Sequence, residues 1–203
     1  MGEPIPVRCA SILLAAGSSS RLGKPKQLLH FDGETLLRRT ARLAIEADCS
    51  PNIVVLGAFA DELKPQLDGL DTKILVNENW AEGMGSSMAL AVNWLLQQPT
   101  APAAILILVC DQPNLRSDLL RKLIERQVSA AKPVVASRYA GNFGVPAVFA
   151  PALYPELAAL KGDHGARSIL ARYGDEVGAV DFALGEFDID TPADETLLKQ
   201  TRS

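Results

Sequence analysis

Three cations, Arg21, Lys24 and Lys26, sit on a run of small residues, Ala15-Ala16-Gly17-Ser18-Ser19-Ser20, that follows directly on the apolar stretch Ile12-Leu13-Leu14. Small residues let backbone N–H groups approach an anion closely, and the cations supply charge around them. A strand that empties into such a loop suits the phosphates of a nucleoside triphosphate. The loop is not a Walker A sequence: five residues separate Gly17 from Gly23, and Pro25 rather than Ser or Thr follows Lys24. It is not GxGxxG either, which argues against a dinucleotide cofactor. A second feature, Cys110-Asp111-Gln112-Pro113, closes the long apolar run Ala103–Val109. A carboxylate at the carboxyl end of a strand is well placed to hold Mg²⁺ beside a triphosphate. A third is Asp188-Ile189-Asp190-Thr191-Pro192-Ala193-Asp194. Thr191 as N-cap, Pro192 at the first helical position and Asp194 at N3 make a helix start. Asp190 lies just outside that cap, at a strand's end, free to share the metal with Asp111.

Two further segments offer groups that bind rather than react. In Asn77-Glu78-Asn79-Trp80-Ala81-Glu82-Gly83-Met84-Gly85-Ser86-Ser87, either Ser86 or Ser87 caps the following helix. The other serine, with the backbone of Gly83 and Gly85, can face a base or ribose, while Trp80 reads as a packing residue. In Gly141-Asn142-Phe143-Gly144-Val145-Pro146 and Gly162-Asp163-His164-Gly165-Ala166-Arg167, two glycine-rich turns present Asn142, His164 and Arg167. These form either the acceptor side of a cleft or plain turns with a solvated helix start. His30 and His164 have no His or Cys at ligand spacing, so zinc is not supported. Cys110 reads as a small core residue.

The elements that must hold these groups follow from hydrophobic pattern. Apolar, β-branched runs recur at Val7–Leu14, Ile53–Leu56, Lys73–Val76, Ala104–Cys110, Val134–Ala136, Val145–Phe149 and Val177–Phe182. The first, second and fourth are continuously apolar, as strands covered on both faces of a mostly parallel sheet must be. Between them, Leu36, Leu37, Thr40, Leu43, Ala44 and Ala47 form one helical stripe, and Leu119, Leu120, Leu123, Ile124 and Val128 another. Met88–Leu96 is apolar nearly all round and predicts a deeply buried helix. Strands alternating with helices predict a three-layer α/β domain with right-handed crossovers.

Composition narrows the class. The chain has 203 residues, 48% hydrophobic and 22% charged, which suits one soluble domain with a full core. A net charge of −4 argues against nucleic acid and anionic membranes, so the loop cations serve a small anion locally. Met1 to Val7 holds two prolines and an acid and does not read as a secretory leader. No apolar stretch approaches a membrane span. Three scattered cysteines form no disulfide framework or CxxC, which together with the missing leader predicts a cytoplasmic protein with reduced thiols.

These motifs, in this order from Leu13 to Leu197, resemble the molybdenum-cofactor nucleotidyltransferases, within the larger family that activates phosphates and sugar phosphates. Leu14-Ala15-Ala16-Gly17 with Arg21, Gly23 and Lys26 matches the family's triphosphate loop. Asn79 to Ser87, Asp111-Gln112-Pro113, Gly162-Asp163 with Gly165-Ala166-Arg167, and Asp190-Thr191-Pro192 are similar to the cytidylyltransferase branch. The guanylyltransferase branch usually has Ala-Gly-Gly where this chain has Ala15-Ala16-Gly17. The resemblance implies a three-layer α/β/α Rossmann-like nucleotidyltransferase fold with a mostly parallel sheet. It implies one domain over 1–203, with a nucleotide-binding half at about 7–115 and an acceptor-binding half at about 116–203. The implied reaction is transfer of CMP from CTP to the terminal phosphate of molybdopterin cofactor, releasing pyrophosphate, with Mg²⁺ or Mn²⁺. A sugar-phosphate or polyol-phosphate cytidylyl- or uridylyltransferase is the alternative, and a non-catalytic carrier of the cofactor a further one. The implied catalytic residues are Arg21, Lys26 and Asp111. Ala15, Ala16, Gly17, Ser18, Gly83 and Ser87 join them around the nucleotide, with Asp111 and Asp190 on the metal. Asn142, His164 and Arg167 are implied for the acceptor. A molybdoenzyme or its maturation chaperone is the implied macromolecular partner. One departure stands out: these cytidylyltransferases often carry His where this chain has Val145, which removes a hydrogen-bonding group from the expected acceptor pocket.

Overall fold

A computed structural model describes residues 8–130 and 132–200. In chain order the elements are β1 (Cys9–Ala15), a short hairpin of β2 (His30–Phe31) and β3 (Glu34–Thr35), α1 (Leu36–Glu46), β4 (Asn52–Leu56), α2 (Ala60–Leu63), β5 (Lys73–Val76), α3 (Met84–Leu96) and β6 (Ala104–Val109). There follow α4 (Ser117–Ala130), β7 (Val134–Tyr139), β8 (Asn142–Phe149), α5 (Tyr154–Ala158), α6 (Ala166–Tyr173), β9 (Gly178–Asp181) and α7 (Pro192–Gln200). Seven strands form one sheet in the order β5-β4-β1-β6-β8-β7-β9. Strand β8 runs antiparallel to both of its neighbours, and the other pairs are parallel. The sheet is therefore mostly parallel, as the continuous apolar runs demand. The expected start of the first strand at Val7 lies outside the described residues.

Side chains alternate across the sheet and feed two cores. Ile12, Leu14, Ile53, Val55, Ile105 and Ile107 pack with Met88 and Val92 of α3, Leu157 of α5 and Ile169 of α6. Leu13, Val54, Leu56, Leu106 and Leu108 pack with Leu37 and Leu43 of α1 and Leu120 and Leu123 of α4. Each such aliphatic side chain contributes roughly 1.5–3 kcal/mol on burial. Thr35 caps α1 by accepting a hydrogen bond from the Arg38 N–H at 3.3 Å. Among the described residues no helix is long and apolar enough to cross a membrane.

The helix at 88–96 departs from expectation. It begins four residues earlier, at Met84, and buries one face through Met88, Ala91, Val92 and Leu95. Leu90 and Leu96 are exposed, because the helix is a face of the outer layer rather than its centre. Val128, placed on the buried stripe of α4, is likewise exposed. From β1 the chain winds outward through β4 and β5, then returns across β1 to β6 on its other side. The carboxyl ends of β1 and β6 thus diverge at a topological switch point, where open α/β sheets bind ligands.

Candidate active site

The register of β1 on β6 pairs Leu14 with Val109. Two residues further on, each strand ends in one of the motifs singled out above. The loop after β1 is held by side chains of its own. Buried Gln27 donates to Ala15 O at 3.0 Å and Gly17 O at 2.9 Å, so the loop folds back over its strand. Ser19 adopts φ +52 and accepts from the Lys26 N–H at 3.1 Å. Leu22 is buried with Leu29, Leu36 and Ile189. These contacts aim Lys26 inward. Its Nζ lies 2.6 Å from Asp111 Oδ2 and 2.8 Å from Asp190 Oδ1. Arg21, largely exposed, donates to Asp190 Oδ2 at 2.8 Å.

Asp190 reaches this point by a backbone bridge: the Ile189 N–H donates to Asp111 O at 3.0 Å. It does not sit at a strand's end as expected. It belongs to an irregular return between β9 and α7. The helix start beyond it is as expected, with Thr191 N–H and Oγ1 both on Asp194 Oδ2 at 2.8 Å and Asp194 N–H on Thr191 Oγ1 at 3.3 Å. Lys24 is corrected: it pairs with Glu195 of α7 at 2.7 Å and lies away from the phosphate loop's cleft.

The electrostatics follow from this packing. Burial works against the Lys26 charge, but Asp111 and Asp190 more than offset it and hold the ammonium above the ordinary lysine range. The hydrogen bond from Lys26 keeps Asp190 below the usual carboxylate range. Asp188, a residue the sequence reading passed over, is pushed up to about 6 by burial and by the neighbouring carboxylate of Asp111. Cys110 is pushed up to about 12, first by burial and then by Asp111, which makes it the inert core thiol expected.

A cleft of about 460 Å³ opens here, lined by Ala15, Ala16, Gly17, Ser18, Arg21, Lys26, Gly83, Ser87 and Asp111. All the residues expected around the nucleotide are therefore brought together. Trp80, read as a packing residue, also lines this cleft, held against Gly57. Neither serine caps α3. Gly83 takes the N-cap position, Ser86 donates back to Gly83 O at 2.8 Å, and buried Ser87 points to the cleft's lining. Gly83 is required where it stands: at φ +106, a Cβ would overlap the backbone of Gly162.

A second recess of about 300 Å³ adjoins the first and shares Leu14, Met84, Val109, Asp111 and Asp163 with it. Arg167, Val145, Gln112 and Asp188 line it. Gln112, buried, donates to Val145 O and Gly185 O at 3.2 Å, tying the β8 strand and the 182–190 return to the end of β6. Of the expected acceptor residues, only Arg167 lines this recess. Asn142 lines a hollow of about 600 Å³ beyond it, which shares Arg167, Tyr139 and Asp188 with it, and its amide donates to Ala140 O. His164 is not brought to either; it lines a separate groove with Glu156 and Arg172. Asp163, Gln112, Asp188 and Gln27 are what residue-by-residue reading missed. Asp163 and Gln112 stood inside the quoted motifs, and Asp188 two residues from Asp190.

The donors suit a divalent cation. Asp111 Oδ1 is buried with no hydrogen-bond partner, and Asp190 faces it across Lys26. A cation held by two carboxylates completes its shell with phosphate oxygens and water.

Comparison with known proteins places this geometry in a family. A 33% identical relative, nicotine blue oxidoreductase of Paenarthrobacter nicotinovorans, is matched over 94% of this chain and 96% of its own. A probable molybdenum cofactor guanylyltransferase of Synechococcus elongatus is 31% identical over 73% of this chain and 75% of its own. The Rv0371c protein of Mycobacterium tuberculosis, solved in complex with manganese, superposes with a TM-score of 0.75 at 30% identity, covering 96% of this chain and 99% of that one. The MobA-like NTP transferase domain matches residues 11–177, and the chain belongs to that family.

Proposed function

We propose that the protein transfers CMP from CTP to the terminal phosphate of molybdopterin-type cofactor and releases pyrophosphate. The observation that carries this reading is the position of Lys26, between Asp111 and Asp190 and on the wall of the nucleotide cleft, next to the recess lined by Arg167. A phosphate monoester is ionised at neutral pH, so its oxygen attacks the α-phosphorus without a strong general base. One P–O bond forms and the α–β bridging bond breaks, with pyrophosphate leaving in line. The protein's task is positioning and charge neutralisation. Backbone N–H groups of Ala15 to Ser18 and the Arg21 guanidinium hold the outer phosphates. Lys26 meets the α-phosphate as charge builds on the departing oxygen. Asp111 and Asp190 hold Mg²⁺, or Mn²⁺, which when bound neutralises the triphosphate. Gly83 and Ser87 face base and ribose, and Arg167 grips the acceptor, with Asn142 further out.

CTP is preferred on the resemblance of Ala15-Ala16-Gly17 to the cytidylyl branch. We read the chain as one domain, with a nucleotide-binding half at about 7–115 and an acceptor-binding half at about 116–203, acting in the cytoplasm and handing its product to a molybdoenzyme or maturation chaperone. The test is pyrophosphate release with Mg²⁺ and molybdopterin cofactor, comparing CTP with GTP, ATP and UTP. Release with CTP alone is expected. Release only with a sugar or polyol phosphate moves the acceptor assignment. No release with any acceptor leaves the carrier reading or the oxidoreductase chemistry named in the nicotine blue relative.

A further inference from the structure

The entrance to α3 contains a hydrogen-bond relay whose polarity is fixed from one end to the other. Asn77 follows β5 and is buried, its own N–H bonded to Leu56 O at 2.8 Å. The Asn79 N–H donates to Asn77 Oδ1 at 3.0 Å. That contact settles which side of the amide is oxygen and leaves Nδ2, with its two hydrogens, facing the serines. Nδ2 lies 2.8 Å from Ser86 Oγ and 2.9 Å from Ser87 Oγ, so each hydroxyl must accept one hydrogen. Ser86 passes its own hydrogen to Gly83 O. Ser87 is different. Among the described residues no acceptor takes its hydrogen, and it lines the cleft beside Ala16, Gly17 and Gly83.

A serine hydroxyl is ordinarily ambivalent, a donor or an acceptor as its partner requires. Here the amide takes one of the hydroxyl's two lone pairs and turns its hydrogen away from Asn77, so the hydrogen is left for whatever enters the cleft. We propose that Asn77 is a specificity-setting positioning residue: it orients Ser87 to donate into the cleft and so favours a nucleobase that presents a carbonyl oxygen there, the 2-carbonyl of a pyrimidine. The inference rests on the reading of this cleft as a nucleotide site. It assigns to that site a polarity that neither serine has by itself.

The test exploits an isosteric inversion. In Asn77→Asp the carboxylate still accepts from the Asn79 N–H but has no hydrogen to give, so it takes the hydrogen of Ser87 and turns an oxygen lone pair toward the base. A buried group facing the wrong polarity loses roughly ten- to a hundredfold in affinity. Dissociation constants are measured for CTP, dCTP and inorganic tripolyphosphate on wild type, Asn77→Asp, Ser87→Ala and the double variant, with melting temperatures as the check on folding. The expected result is a tenfold or greater loss for CTP and dCTP in Asn77→Asp. Tripolyphosphate, which has no base, should change less than threefold. In the Ser87→Ala background the same Asn77→Asp change should cost CTP less than twofold, which separates lost polarity from repulsion by the new charge. Equal losses in both backgrounds, or a loss seen with CTP and absent with dCTP, overturn the proposal. If wild type binds tripolyphosphate but no nucleotide more tightly, the nucleotide reading itself falls and the proposal with it.

Discussion

The Lys26 ammonium stands 2.6 Å from the Asp111 carboxylate, and that same ammonium reaches Asp190 at 2.8 Å. Lys26 thus neutralises the two groups that suit a divalent cation, and the two cations compete for one patch of negative charge. Replacing Lys26 with alanine should tighten binding of Mn²⁺ alone by about tenfold, or ~1.4 kcal/mol, followed by the loss of the free Mn²⁺ signal in electron paramagnetic resonance. The same variant should lower kcat by about 10² to 10³ while KM for the nucleotide rises less, because the contact strengthens as charge builds in the transition state. Weaker Mn²⁺ binding, or an unchanged kcat, contradicts this role.

Asp111→Ala removes the carboxylate at the junction of the two recesses and leaves Lys26 paired with Asp190. Pyrophosphate release should fall by more than 10². The melting temperature should hold to within a few degrees, since Asp111 is partly exposed at a loop and outside both main cores. Retained turnover in a pyrophosphate-coupled assay removes the metal assignment.

Gly83→Ala meets two obstacles, a backbone at φ +106 and the main chain of Gly162 in the space a Cβ needs. With strain and overlap adding, a loss of about 2–4 kcal/mol is expected, read by urea denaturation. Gly141→Ala supplies the contrast: at φ +74 but with open space around it, it should cost about 1 kcal/mol. Equal costs at the two sites rule out the close packing of α3 on the 161–163 loop as the cause.

Gln112→Leu keeps the volume of the side chain but frees the Gly185 carbonyl and leaves the Val145 carbonyl to the Tyr139 hydroxyl alone. A cost of roughly 1–3 kcal/mol is expected. Because the freed segments line the Arg167 recess, KM for the acceptor should rise several-fold while KM for the nucleotide stays within twofold. The opposite split assigns Gln112 to the nucleotide side.

The Cys110 thiol, pushed up to about 12, becomes a thiolate only as pH climbs toward that value. At pH 8 about one part in ten thousand is ionised. Native protein treated with iodoacetamide at pH 8 should show no adduct on Cys110 by mass spectrometry, and denatured protein should show one. Rapid labelling of the folded protein refutes the inert reading.

Much of the site is legible in sequence because its parts are local. Ala15 to Gly17 and Asp111 announce themselves by following buried strands, and the capping pattern from Thr191 to Asp194 needs nothing beyond its own turn. What escapes is whatever depends on distant packing. Lys24 has the same charge and setting as Lys26, yet only the course of α7 decides that it meets Glu195. His164 sits in a suggestive motif, but the loop that carries Asp163 into the cleft turns the next residue to another groove. Ser86 and Ser87 are equivalent as letters and both accept from the Asn77 amide; the return of the Ser86 hydrogen to Gly83 O and the place of Ser87 on the cleft wall separate them. The all-round apolar α3 misleads because apolarity alone does not say which side meets the sheet.

The bridge from Ile189 N–H to Asp111 O, with Gln112 donating to Gly185 nearby, bears on how the protein comes into being. The two carboxylates lie 79 positions apart in the chain, as do their places in the order of synthesis. In synthesis Asp111 is made well before the 182–190 return, so the bridge from Ile189 to Asp111 waits for the last stretch of chain. The same crossing brings Asp188 to the recess lined by Arg167 and Gln112. A chain ending short of Asp188 therefore lacks both the second carboxylate beside Lys26 and one wall of that recess, so the cluster and the recess are completed together.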